Sequence, residues 1–317
     1  MDARPALSPW VNATPLVFAH RGSSAARPEH TVAAYELAVD EGVDGFECDV
    51  RLTRDGHLVC IHDASITRTS NGRGRVTRLT LAELNRHDYS SWHRPSVPNR
   101  GPDAVVSVDD GILTLDRLLT LARDAGRPLR LLVETKHPSR YGGDVERRLV
   151  DLLRHHGLTA GGPASAPGVA VTVMSFSVRA LRRFRALAPE IPTVFLFDIP
   201  TPSIWSGRPP DGVDLLGPSI RVVRHWPELV RRAHDRGVGV LVWTVNEPAD
   251  IDLVRTLGVD GIISDRPADV LAALNRPPVS DGGRIEPATP PQTDSLVPGD
   301  GRLGPCPSTT GVPTSGV

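Results

Sequence analysis

The chain has 317 residues, with 36 basic against 37 acidic side chains, a formal net charge of −1 and 39% hydrophobic residues. Such a chain can bury a large core, and its balanced charge offers no global field for nucleic acid or an anionic membrane. Of the 36 basic residues all but Lys136 are Arg, a bias that matches GC-rich coding and makes the one Lys conspicuous.

Further classes fall away on local grounds. The longest uncharged apolar run, Val169 to Val178, is far short of the roughly 18 residues that span a bilayer. The N-terminal MDARPALSPWVNATP has no apolar segment of the kind a signal peptide carries. Three Cys without C-x-x-C spacing give neither a disulfide framework nor a structural zinc site. A cytoplasmic globular protein is expected, without a nucleic-acid partner or stable membrane insertion; the sequence leaves its oligomeric state open.

In chain order, residues 1–14 read as an extension. β-rich runs then recur at 16–20, 45–50, 58–62, 130–136, 169–176, 193–197, 213–217, 238–245 and 261–264. Between most of them lie helical patterns. Thr114 caps one that puts Leu115, Leu118, Leu119 and Ala122 on one face and stops at Gly126, while Pro227 to Gly237 and Pro248 to Gly258 carry proline at the first turn and glycine after the last. Only Leu52 to His57 separates the second run from the third, and Arg54-Asp55-Gly56 is a turn signal. A parallel crossover needs a dozen or more residues, so these two runs form a hairpin or an extension and eight parallel strands remain. The expectation is α/β: a single (β/α)8 barrel over 15–276, with a small insertion at 64–113 on one rim. The Pro- and Gly-rich 277–317 reads as a disordered tail.

Catalytic groups of such barrels sit where strands end, and here those ends are polar. The first run ends in His20-Arg21-Gly22, the second carries Glu47 and Asp49 two apart on one side, the third ends in His62-Asp63, and the fourth carries Glu134 and Lys136, again two apart. Three adjacent carboxylates cannot all stay ionised without a cation, and all-oxygen ligation suits Mg²⁺ or Ca²⁺. His20 and His62 are placed as general acid and base, Arg21 and Lys136 as phosphate contacts: the parts that phosphodiester cleavage requires. Cys48 alternates with the ligands and is expected to face the surrounding helices; a Cys48 to Cys60 bridge is disfavoured in a reducing compartment. His87, His93, His137, His225 and His234 read as surface residues.

The ordered set HRG, PEHT, E-x-D, T-x-D-G-x-L-V-x-x-H-D, E-x-K, S-F, W-T-V-N and G-V-D-G-I-I-S-D-x-P, from about Val17 to Pro267, resembles the glycerophosphodiester phosphodiesterase family. The resemblance implies a TIM barrel that hydrolyses small-molecule glycerophosphodiesters to sn-glycerol 3-phosphate and an alcohol with a divalent metal. It gives His20 and His62 as catalytic, Glu47, Asp49 and Glu134 as metal ligands, Arg21 and Lys136 as phosphate contacts, and Phe176 and Trp243 as pocket aromatics. Two positions depart from the pattern: His30 stands where the family usually has Asn, and Ser264 where Thr is usual. Attack by the substrate's own 2-hydroxyl through a cyclic phosphate and direct attack by water are both compatible with these residues. Two alternatives share the core: a lysophospholipase D-like enzyme, which needs an apolar rim that the insertion's composition lacks, and a non-catalytic phosphometabolite-binding barrel, against which the complete polar set argues.

Overall fold

The computed structural model describes residues 14–93, 111–159 and 168–276. The extension predicted over 1–14 lies almost wholly outside them, as do the tail predicted over 277–317 and much of the insertion. The elements in order are β1 (Leu16–His20), α1 (Val32–Glu41), β2 (Gly45–Leu52), β3 (Leu58–Cys60), α2 (Leu81–Leu84), α3 (Leu115–Asp124), β4 (Leu129–Thr135), α4 (Asp144–His155), β5 (Val169–Ser175) and α5 (Val178–Leu187). They continue as β6 (Thr193–Phe197), α6 (Pro202–Trp205), β7 (Leu215–Pro218), α7 (Ile220–His225), α8 (Glu228–His234), β8 (Leu241–Val242), α9 (Pro248–Leu257), β9 (Gly261–Ser264) and α10 (Pro267–Ala273).

Eight strands pair in parallel in the order β7-β6-β5-β4-β2-β1-β9-β8, and parallel bridges Leu216↔Val240 and Ser219↔Trp243 join the two ends into a ring. β3 folds back antiparallel on β2, pairing Val50 with Cys60, as the short link between the two runs predicts. The chain is therefore the (β/α)8 barrel expected, with a hairpin extending its second strand. Among the described residues no helix is long and apolar enough to cross a membrane.

Alternation along each strand divides the core. Outward residues such as Val17, Phe46, Cys48, Val50, Val133 and Val173 pack with helix faces including Leu115, Leu118, Leu119 and Ala122 of α3. Inward residues Phe18, Leu132, Met174, Val194, Leu196, Leu215, Leu241 and Ile263 fill the barrel interior. Each such side chain, fully buried, contributes roughly 1.5–3 kcal/mol. The caps read from sequence are present: Thr114 accepts from the Arg117 amide at the start of α3, and Gly258 at φ 67° ends α9. Gly45 has a packing reason, since a Cβ there would lie 1.9 Å from the Arg130 carbonyl oxygen of β4. The insertion carries α2, and its Ile66, Val76, Leu84, Tyr89 and Ile112 pack with Val59 of β3 and the neighbouring Ile61 in a small separate core.

Two of the histidines read as surface residues are not. His137 donates or accepts at 2.8 Å with the fully buried Glu146, which also takes Arg183, and His234 lies 2.9 Å from the fully buried Asp260. Both carboxylates come from helix or strand starts that periodicity places but does not pair. Cys48 and Cys60 are buried free thiols on the helix-facing side of the sheet.

Candidate active site

Parallel register assembles the polar strand ends. β1 pairs His20 with Glu47 of β2, and β2 pairs Asp49 with Glu134 of β4. A cleft of about 420 Å³ at this end is lined by His20, Arg21, Glu47, His62, Glu134, Lys136, Phe176 and Trp243, with Met174, Leu196, Thr244 and Ile263 beneath. Eight of the nine residues singled out from sequence thus line one cleft. The ninth, Asp49, is 1% exposed and sits behind the lining.

The turn after β1 is strained on purpose by its contacts. Arg21 (φ 61°) and His30 (φ 58°) both occupy the left-handed region, which costs a non-glycine residue about 1–2 kcal/mol. The Arg21 amide donates to the Glu47 carbonyl at 3.1 Å and reaches Glu47 Oε2 at 3.2 Å, and the His30 amide donates to the Arg21 carbonyl at 3.0 Å. Gly22 follows at φ 82°, where a Cβ would lie 2.6 Å from that of Ala34. The turn therefore needs glycine at position 22.

Glu47, Asp49 and Glu134 are buried, and one carboxylate oxygen from each lies within 4.8 Å of the others. Lys136 Nζ stands 2.7 Å from Glu134 Oε1 and 3.1 Å from Asp49 Oδ1, and Arg21 Nε is 3.0 Å from Asp49 Oδ2. Burial would raise all three carboxylates. For Asp49 the hydrogen bond from His30 and the charges of Arg21 and Lys136 outweigh it and hold the group well below its usual range. For Glu47 burial and the Asp49 charge prevail and push it well above, and the same pair of influences pushes Glu134 up to about 8. With all three carboxylates ionised, two cations would leave the cluster one positive charge short, and the raised Glu47 and Glu134 reflect that deficit. Asp49 Oδ1 also has no hydrogen bond, although the ammonium of Lys136 is in ionic contact. An all-oxygen, under-neutralised set with an open acceptor fits a hard divalent cation.

Each imidazole is anchored at Nδ1 by a carboxylate. His20 Nδ1 is 2.6 Å from Asp265 Oδ1, and His62 Nδ1 is 2.7 Å from Asp63 Oδ1. Burial of Asp265 is outweighed by His20, Asn246 and Ser24, which hold it well below the carboxylate range. An ionised carboxylate only accepts, so His20 Nδ1 carries a proton and its Nε2, 3.8 Å from Glu47 Oε2, is left for the cleft. Burial, with the charges of Arg21 and Lys136, lowers the His62 pKa against the pull of Asp49 and Asp63. That favours neutral imidazole near neutral pH, able to take a proton.

Behind them runs a chain of ions. Arg68 bridges Asp63 (2.7 Å) and Glu29 (2.7 and 2.8 Å), and Glu29 takes Arg21 at 3.1 Å. Asn246 Nδ2 donates to Asp265 Oδ2 at 2.7 Å while its Oδ1 accepts from the Asp265 amide. Asp265, Asn246 and Glu29 lay inside the S-D-x-P, W-T-V-N and PEHT motifs, so position in a motif was the available signal. Arg68, in the mixed insertion, had none. His30 is buried, its Nε2 3.0 Å from Asp49 Oδ2 and its Nδ1 2.9 Å from the Tyr35 hydroxyl, which donates on to the Glu47 carbonyl. Phe176 and Trp243 meet edge to face with ring centres 5.4 Å apart, and Lys136 Nζ lies 6.0 Å from the Phe176 ring centre.

The family model described as "Glycerophosphoryl diester phosphodiesterase family" matches residues 20–269. A Mycobacterium tuberculosis protein named "Probable glycerophosphodiester phosphodiesterase 1" is 47% identical over 260 residues, 82% of this chain and 92% of that one. A Bacillus subtilis glycerophosphodiester phosphodiesterase is 32% identical over 256 residues, covering 80% and 84% of the two chains. Among solved structures, an Oleispira antarctica phosphodiesterase in complex with the product sn-glycerol 3-phosphate superposes with a TM-score of 0.66 at 26% identity, over 83% of this chain and 97% of that one.

Proposed function

The chain belongs to the glycerophosphoryl diester phosphodiesterase family, and from that premise we propose metal-dependent hydrolysis of glycerophosphodiesters to sn-glycerol 3-phosphate and an alcohol, with His20 and His62 exchanging the protons. The observation that carries this reading is the pair of imidazoles, each fixed at Nδ1 by a carboxylate and lining the cleft over the Glu47–Asp49–Glu134 cluster.

Hydrolysis moves two protons: one leaves the attacking oxygen and one reaches the departing alkoxide. A single group could serve only by turning over between the two events. Two histidines with their Nδ1 atoms committed to Asp265 and Asp63 divide the task, each presenting one nitrogen. Arg21 and Lys136 hold their protons: burial alone would lower both, but the surrounding carboxylates raise them. They are therefore fixed positive charges for phosphoryl oxygens. Phe176 and Trp243 form an apolar wall suited to the carbon skeleton of glycerol, with Trp243 Nε1 tied to the Gly217 carbonyl at 2.8 Å so that the ring is set before substrate arrives. Glu47, Asp49 and Glu134 would hold Mg²⁺ or Ca²⁺. When bound, the cation supplies charge for a phosphoryl oxygen and allows all three carboxylates to ionise together.

The test is to strip the purified protein with EDTA, add glycerophosphocholine or glycerophosphoethanolamine, and follow glycerol 3-phosphate enzymatically. Release that stops on stripping and returns with Mg²⁺ or Ca²⁺ is expected. No release with either cation would defeat the proposal.

A further inference from the structure

A second groove of about 820 Å³, open to solvent, shares Lys136 with the cleft. Its walls come from the end of β2 (Arg51, Leu52), the insertion (Ala64, Arg75, Thr77, Arg78) and the segment from Lys136 into α4 (Pro138, Ser139, Arg140, Val145). Five lining residues are basic and none is acidic.

Some arginines sit on carboxylates, as Arg54 does on Glu83, Arg185 on Asp214, Arg224 on Asp250 and Arg276 on Asp44. Among the described residues Arg51, Arg75, Arg78 and Arg140 have no carboxylate within ion-pair distance. Arg51 is fixed in the wall, donating through Nε and Nη2 to the His62 carbonyl at 2.9 and 2.7 Å. The opposite wall is braced by Tyr141, whose hydroxyl donates to the Thr77 carbonyl at 2.7 Å. Guanidinium groups stay protonated at neutral pH, so the groove presents a fixed positive lining to an anion. A phosphomonoester, carrying about −1.5 to −2 at neutral pH and three strong acceptor oxygens, matches several arginine forks better than a carboxylate does.

We propose that this groove is a subsite for a phosphomonoester on the alcohol half of the diester, so that the substrates it favours carry two phosphates, one on each side of Lys136. The inference rests on the hydrolytic reading above. It makes the single lysine a shared wall: its ammonium faces the carboxylate cluster in one cavity and borders the arginine groove in the other.

The test compares glycerophosphoglycerol with the same compound bearing a terminal phosphate, at fixed ionic strength, in wild type and in R75A/R140A. A second variant, R78A, guards against misfolding of the double variant. The expected result is a kcat/KM ratio favouring the phosphorylated substrate by about tenfold, falling fivefold or more in the variants and mainly through KM. If both substrates are cleaved at equal kcat/KM, or the ratio survives both variants, the subsite is absent. If neither is cleaved, the hydrolytic reading itself has failed. Inorganic phosphate added to unphosphorylated glycerophosphoglycerol separates the remaining source: a change in turnover that R75A/R140A abolishes would assign the groove to free phosphate and overturn the head-group assignment.

Discussion

Asp265→Asn is the substitution whose effect can be worked most fully from the geometry. Asp265 Oδ2 accepts from Asn246 Nδ2, and Asn246 is itself oriented because its Oδ1 accepts from the Asp265 amide and the Ser264 hydroxyl. In the variant the new carboxamide must therefore keep its oxygen toward Asn246, which turns its NH₂ toward His20 Nδ1. A donor there forces the imidazole to accept at Nδ1 and to carry its proton on Nε2, the reverse of the wild-type arrangement. Loss of a charge-assisted hydrogen bond costs about 1.5–3 kcal/mol, or roughly 10- to 100-fold in rate. Inverting the tautomer of a catalytic imidazole has cost up to about 10⁴ in other hydrolases. The expected fall in kcat/KM on glycerophosphocholine is thus between about 10² and 10⁴. Asp265→Ala, which removes the carboxylate without imposing a donor, should lose less. A rate for Asp265→Asn within about twofold of wild type, with the fold intact by circular dichroism, would refute the assignment of His20.

Three further outcomes are expected. Lys136→Met should lower kcat/KM by about 10²-fold yet tighten divalent-cation binding measured by calorimetry, because it takes a cation away from Asp49 and Glu134; weakened metal binding would contradict the charge count. Gly45→Ala, pressing a Cβ onto the Arg130 carbonyl, should destabilise by about 1–3 kcal/mol or more in a denaturant titration, and an unchanged midpoint would mean that β2 and β4 are not packed so closely. The pKa of His234 is raised by its hydrogen bond to Asp260, against the effect of burial. Its contribution is therefore complete below the ordinary histidine pKa of about 6.5 and is lost as pH rises through the raised value. The difference in Tm between wild type and His234→Ala should be largest at the acidic end of that window and shrink with rising pH; a gap that widened with pH would reverse the sign.

What could be read from sequence followed from periodicity and spacing. Alternation put Glu47 and Asp49 on one side of a strand and Phe46, Cys48 and Val50 on the other, and the short Leu52 to His57 link excluded a parallel crossover, leaving a hairpin or an extension, of which the fold has the hairpin. Strand-end position alone places His20, His62, Glu134 and Lys136 at one face of the barrel. The partners that tune these groups depend on contacts across the ring and were not legible in the same way. Asp265 reaches His20 across 245 residues, and Arg68 reaches Glu29 across 39, through side chains whose spacing follows no period. The departure at His30 was visible, but its role was not: only the fold shows that its two ring nitrogens link Asp49 to the Tyr35 hydroxyl. His137 and His234 were misplaced for the same reason, since burial against Glu146 and Asp260 is set by neighbouring elements rather than by the local pattern.

The most direct measurement is a ³¹P NMR time course of glycerophosphocholine with wild type, His20→Ala and His62→Ala, each loaded with Mg²⁺ or Ca²⁺. The diester resonance should give way to that of glycerol 3-phosphate in wild type, and each variant should slow this by about 10²-fold or more while retaining its fold. Full activity in either variant would contradict catalysis by the two strand-end histidines.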